Sequence, residues 1–276
     1  MPSGAEKFRE KLSDANRVIV KVGTTCLTGE NSRLDTPKVE KLAKDLMELI
    51  RRSKEVILVS SGAIGAGLGR LSLKERPKDM GSLQAASTVG QSALMEAYSR
   101  SFNYYDQRVA QVLLTQDDFT DPTRFQNFRN TLKVLFNWGV IPIINENDAV
   151  AVEEIRMGDN DLLAAFTTMG ANADLLVMLS DVDGLYTKDP KKEKSAKLIR
   201  TVEEITPEIE EIAKSSGRDF GGIVTKIQAA KITTQEGIPV VIVDGSREDV
   251  LKRVLEGEEI GTLFLPVESE KTQSEG

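Results

Sequence analysis

Residues 143–165 read IINENDAVAVEEIRMGDNDLLAA. Two polar clusters lie in this stretch, each fastened to an apolar run. Asn145-Glu146-Asn147-Asp148 follows the run 140–144, and Gly158-Asp159-Asn160-Asp161 precedes the run 162–166. Side chains that follow a buried strand sit at the carboxyl edge of the sheet, where open α/β sheets bind ligands. Side chains that open a helix have its free N–H groups beside them. A turn followed by a helix cap would use the same residue types. Two such clusters, each locked to a buried element, favour a site over that simpler reading.

Outward from this stretch the chain alternates. Segments 17–22 (RVIVKV), 56–59, 109–114, 140–144, 174–179 and 240–243 read as buried strands. Helical patterns fall between them. The first opens at Thr36-Pro37 and carries Val39, Leu42, Leu46, Leu49 and Ile50 on one face; others cover 83–105, 131–137, 162–169, 207–214, 225–236 and 249–255. This rhythm predicts an α/β fold, a three-layer α-β-α sandwich around a mainly parallel central sheet. Residues 149–156 interrupt it and are expected to form a short hairpin arm. The charged segment 188–197 reads as a solvated excursion, and 215–222 as a mobile glycine-rich loop. With no internal repeat and no Pro/Ser-rich linker, 1–266 is expected to be one domain with two lobes, and 267–276 a disordered tail.

Composition narrows the function. The chain has 276 residues, enough for a sizeable core, with 40% hydrophobic and 29% charged residues. Its net charge of −7 argues against a nucleic-acid surface. No apolar run reaches the about 18 residues of a membrane span, and the start MPSGAEKFREKL has no apolar signal core. The single Cys26 forms no internal disulfide, which fits a reducing cytoplasm. There is no histidine, which removes Ser-His-Asp hydrolysis, His acid–base chemistry and most zinc sites.

Three glycine-plus-polar features remain. Lys21 sits inside an apolar strand just before Gly23-Thr24-Thr25. A lone lysine there more often snorkels to solvent, but the residues after it offer N–H groups and hydroxyls suited to phosphate. Ser60-Ser61-Gly62-Ala63 repeats the arrangement after the second strand, and tight helix–sheet packing explains it equally well. Gly221-Gly222 precedes Lys226 on a new helix. The Walker pattern GxxxxGK[ST] is absent. Cys26 has no base or CxxC partner and reads as a packed thiol. Two lysines, glycine-rich strand ends, several carboxylates and no histidine suit polyphosphate binding and phosphoryl transfer, which rest on positioning and charge neutralisation.

The segments VKVGTT (20–25), VSSGAIGAG (59–67), IPIINENDAV (141–150), GDNDLLAA (158–165), SDVDGLY (180–186) and GG…TKIQAA (221–230) resemble the glutamate 5-kinase family of the amino acid kinase superfamily. The resemblance runs from about residue 17 to about 264, and INENDAV with GDND is its specific part. It implies ATP-dependent phosphorylation of the γ-carboxylate of L-glutamate, the first step of proline synthesis, with Mg²⁺, restraint by proline, and a cytoplasmic homo-oligomer. It makes Lys21, Asp161 and Lys226 catalytic, with Asp161 orienting the lysines. It assigns Ser61, Gly62, Asn145, Asp148, Asp159 and Asn160 to glutamate. To the nucleotide it assigns Lys21, Gly23, Thr24, Ser180, Asp181, Phe220, Gly221, Gly222, Ile223, Val224, Thr225 and Lys226, and it names no dedicated metal ligand. The substrate side would span about 17–165 and the nucleotide side about 170–266.

Two departures stand out. Many members continue into a C-terminal PUA domain, which this sequence, ending at Gly276, is expected to lack. Ile223 and Val224 occupy positions where the family pattern has Met and Ser or Ala. The rival readings are a sister kinase acting on N-acetylglutamate, UMP, carbamate or aspartate, and a non-catalytic amino-acid sensor. Asp148 favours a substrate with a free amino group, and the presence of Lys21, Asp161 and Lys226 argues against a sensor.

Overall fold

The computed structural model describes residues 4–29, 33–151, 160–190, 192–215 and 222–267. Its strands are β1 (Arg17–Val22), β2 (Glu55–Ser60), β3 (Arg108–Leu114), β4 (Val140–Glu146), β5 (Leu175–Ser180), β6 (Thr201–Val202), β7 (Val240–Asp244) and β8 (Thr262–Phe264). They form one 8-stranded sheet in the order β3-β4-β2-β1-β5-β7-β8-β6. Every pairing is parallel except β7 with β8.

The sheet is apolar on both sides because helices cover both sides. Val18, Val20 and Val22 of β1 pack with Leu42 and Leu46 of helix Thr36–Arg51 and with Tyr98 and Phe102 of helix Met80–Asn103. Ile19 points the other way, into a cluster with Leu163 and Ala164 of helix Asn160–Gly170 and Ile227 and Ala230 of helix Ile223–Gln235. Three layers result, as the strand–helix rhythm predicts.

From β1 the chain builds the sheet to one side through β2, β3 and β4, then returns to add β5 on the other side. The sheet therefore has a switch point between β1 and β5, where Val22 lies in register with Leu179. Ligands of open α/β sheets bind at the carboxyl ends of strands at such a point. One tight connection brings a helix to this edge. Gly62, at φ 96°, turns β2 into helix Ala63–Arg70, a left-handed backbone that favours glycine. That helix then crosses helix Met80–Asn103 so closely that a Cβ on Gly90 would lie 1.7 Å from Ala63 O.

Some expected boundaries move. The long helix begins at Met80, where Asp79 accepts from Ser82 N, and ends at Asn103. The helix expected at 131–137 starts at Pro122, with Asp121 accepting from the amides of Thr123 and Arg124. β6 and β8, of two and three residues, are too short to show a period of two. β4 runs on to Glu146, so Asn145 and Glu146 belong to the strand rather than to a loop after it. Val150 and Ala151 both donate to Asn147 O, which makes a turn of the start of the expected hairpin arm. The rest of that arm, 152–156, lies outside the described residues, as do Gly158, Asp159, most of the glycine-rich loop (216–221, with Phe220 and Gly221) and the tail from 268.

Candidate active site

Lys21 is the fifth of the six residues of β1, on the face that meets helices Asn160–Gly170 and Ile223–Gln235. Its side chain is completely buried, yet it does not snorkel. Its Nζ lies 2.6 Å from Oδ1 of Asp161, which is also completely buried. The other carboxylate oxygen, Oδ2, accepts from Thr225 Oγ1 at 2.7 Å and from Lys226 Nζ at 3.4 Å. One carboxylate thus gathers two lysines from elements far apart in sequence. Burial alone would raise the Asp161 carboxyl, but Lys21, Lys226 and the hydrogen bonds from Lys21 and Thr225 outweigh it and hold it below the usual carboxylate range. A Cβ on Gly23 would make ordinary contact with Leu179 O at 3.7 Å and Lys21 Nζ at 4.0 Å. Gly23 N–H donates to Leu179 O at 3.3 Å across the β1–β5 seam. Thr24 and Thr25 are exposed.

Beside this cluster is a second one. Asn160, first residue of its helix, donates from Nδ2 to Ser60 O at 2.6 Å, to Asn145 Oδ1 at 2.8 Å and to Ser61 Oγ at 3.3 Å. Its amide nitrogen is committed to the protein, which leaves its carbonyl oxygen as the group to offer a ligand. Asn145 Oδ1 also accepts from Glu146 N at 2.9 Å. Its Nδ2 is buried and has no hydrogen-bond partner among the described residues. A buried amide donor in that state is what a bound carboxylate would satisfy. Ser60 Oγ donates to Ser61 O and accepts from the fully buried Tyr98 hydroxyl at 2.7 Å, which fixes the strand end from behind. Asp148 lies in the turn after β4, where Ser87 Oγ donates to its Oδ2 at 2.5 Å. Burial, with Asp148 and Asp118 nearby, pushes the Glu146 carboxyl up to about 7.

At the end of β5, Ser180 is buried and its carbonyl accepts from Gly245 N at 2.9 Å, while Asp181 is exposed. A cavity of about 340 Å³ opens here on the opposite face of the sheet, between Cys26, Lys41, Leu42, Asp181 and Gly245. Burial, then Asp181, raises the Cys26 thiol, as expected for packing rather than nucleophilic use. Gly222, Ile223 and Val224 form the entry to helix Ile223–Gln235, with Ile223 buried.

The structure thus brings together Lys21, Gly23, Asp161, Thr225 and Lys226, and beside them Ser61, Asn145 and Asn160. Among the described residues, no three acidic or cysteine side chains meet in a way that could hold a metal ion. No helix among them is long and apolar enough to cross a membrane.

Residues 16–244 match the model of the amino acid kinase family. The chain is 50% identical over 253 residues to the glutamate 5-kinase of Thermoanaerobacter sp. (strain X514), covering 91% of this chain and 68% of that protein. The chain belongs to the glutamate 5-kinase family. The glutamate 5-kinase of Clostridium perfringens (strain 13 / Type A) is 44% identical over 269 residues, covering 95% of this chain and 100% of that protein. Among solved structures, carbamate kinase from Giardia lamblia bound to AMP-PNP superposes with a TM-score of 0.68 at 18% identity, covering 92% of this chain and 100% of that one. At that identity the likeness is one of fold, and it fits the parallel three-layer sheet.

Four residues at the site escaped the sequence reading: Gln84, Ser87, Gln91 and Glu146. The first three recur at intervals of three and four in a helix otherwise notable for small residues. That spacing was the available signal. Glu146 lay inside the quoted stretch, and only its depth in β4 and its acidic neighbours mark it out.

Proposed function

We propose that the chain transfers the γ-phosphoryl group of ATP to the γ-carboxylate of L-glutamate, giving L-glutamyl 5-phosphate and ADP, the first step of proline synthesis. The observation that carries this reading is Asp161 gripping both Lys21 and Lys226 at the β1–β5 switch point. A γ-carboxylate oxygen attacks the terminal phosphorus, a P–O bond forms, and the bond to the ADP oxygen breaks. The nucleophile is already ionised near neutral pH, so no general base is required, in keeping with a chain without histidine. The barrier is repulsion between anions, which two lysines relieve where charge develops. Mg²⁺ would bind mainly through the nucleotide's phosphate oxygens, as this ion commonly does, and would neutralise part of their charge.

On this reading Asp148 receives the α-ammonium group of glutamate. Asn145 Nδ2 and Ser61 serve its carboxylates, with Asn160 and Gly62 shaping the floor; Asp159 would complete this side. Ser180, Asp181 and 220–226 serve the nucleotide. The substrate side then spans about 17–165 and the nucleotide side about 170–266. Proline would restrain the reaction, and the enzyme would act as a cytoplasmic homo-oligomer. ADP release with Mg·ATP and glutamate tests the activity directly. N-acetylglutamate, aspartate, UMP and carbamate in parallel test its specificity. Turnover with one of these in preference to glutamate, or none at all, overturns the reading.

A further inference from the structure

Helix Met80–Asn103 is amphipathic in an unusual way. Its buried face carries Leu83, Ala86, Leu94, Tyr98 and Phe102, but also the fully buried Ser87 and the buried Gln91. A polar group removed from water needs a partner. Toward the N-terminal half of this side, Gln84, Ser87 and Gln91 find theirs in the same short segment. Gln84 Nε2 donates to Ala151 O at 3.1 Å, Ser87 Oγ to Asp148 Oδ2 at 2.5 Å, and Gln91 Nε2 to Glu146 O at 3.4 Å. Positions 84, 87 and 91 lie on one helix face, so a single rigid element grips the segment 146–151 at its start, middle and end. Gln91 is itself steadied from β3, where Gln111 Nε2 donates to its Oε1 at 3.2 Å.

We propose that Gln84, Ser87 and Gln91 are positioning residues for amino-acid recognition: the helix sets where the Asp148 carboxylate stands, and with it the affinity for an α-ammonium group. The inference rests on the glutamate kinase reading and adds residues that would touch neither substrate. Ser87 occupies Oδ2 of Asp148, and Oδ1 accepts no hydrogen bond from the described residues. One oxygen is thereby tied to the scaffold while the other is left for the ligand. The contact persists through phosphoryl transfer, so its loss acts on binding rather than on the chemical step.

The test compares wild type, Ser87→Ala, Gln84→Ala and Asp148→Ala, with glutamate and with glutarate, which lacks the amino group. Ser87→Ala is expected to raise the KM for glutamate about tenfold, with kcat and the KM for ATP unchanged. Its preference for glutamate over glutarate should fall by the same factor. Gln84→Ala, at a half-buried position, should give the same pattern at about threefold, and it keeps the test alive if the serine variant does not fold. Ser87→Ala combined with Asp148→Ala should lose no more than Asp148→Ala alone. An active wild type whose variants lose only thermal stability, or lose kcat and ATP affinity equally, overturns the inference while leaving the kinase reading standing. A wild type that does not turn over glutamate overturns both.

Discussion

Lys21 Nζ lies 2.6 Å from Asp161 Oδ1, and neither side chain has any solvent exposure. A buried pair of this kind is costly to break from one side, because the survivor is left as an uncompensated charge. Asp161→Asn should therefore destabilise the fold by about 3–5 kcal/mol as well as abolish turnover. Adding Lys21→Met should recover much of the stability and none of the activity, as read by denaturant unfolding and ADP release. Because the Asp161 carboxyl sits below the usual range, the pair's contribution is complete above about pH 4 and is lost as pH falls through the lowered value.

Lys226 has a different balance. It approaches the shared carboxylate at 3.4 Å, farther than Lys21. On the proposed mechanism its charge matters most where negative charge grows during transfer. Lys226→Ala should lower kcat about 100- to 1,000-fold with a small change in unfolding midpoint. Turnover near the wild-type rate would remove it from the catalytic group.

Thr225 joins these two findings. Its hydroxyl reaches Asp161 Oδ2 at 2.7 Å and Gly222 O at 2.8 Å, and it has one proton to give. Thr225→Val should cost about tenfold in kcat by loosening Asp161, while Thr225→Ser should restore it. A valine variant with a raised KM for ATP and an unchanged kcat would confine Thr225 to the nucleotide and remove its role in holding Asp161.

Glu146 supplies a pH dependence. Its carboxyl is pushed up to about 7, against about 4.3 in an unfolded chain. Between these values the folded chain holds the extra proton, so this residue makes stability fall as pH rises through the window. Ionisation also adds negative charge beside Asp148, which favours an ammonium group. The KM for glutamate should fall as pH rises through about 7, and Glu146→Gln should flatten that step. An identical pH profile in the variant would exclude Glu146 as its source.

Gly90 tests the packing behind the site. A Cβ there would meet Ala63 O at 1.7 Å, and backbone cannot yield as a side-chain tip can. Gly90→Ala should cost about 3 kcal/mol in stability, measured by denaturant midpoint.

The sheet was legible in the sequence because its central strands are near-continuous apolar runs, and β1 occupies the residues read for it. The two polar clusters were legible because each abuts such a run. The edge strands β6 and β8 were not, since two and three residues carry no periodicity. The role of the long helix was not legible either. Gln84, Ser87 and Gln91 look like ordinary helix-surface residues until the turn after β4 is seen folded against them. Gly23 is a case where the sequence could not show a contact: its amide donates to Leu179 O across the β1–β5 seam.

The two lysines and the aspartate come from β1, from a helix starting at Asn160 and from another starting at Ile223, so no local segment contains the group proposed as catalytic. Each contact closes a long loop of chain, and such contacts form late because the closure entropy must be met first. Activity is therefore a stringent clock for refolding. Helical signal should return early, from segments such as Thr36–Arg51, and ADP release should return only when β1, β5 and β7 have joined and the last of the three charges has reached the seam.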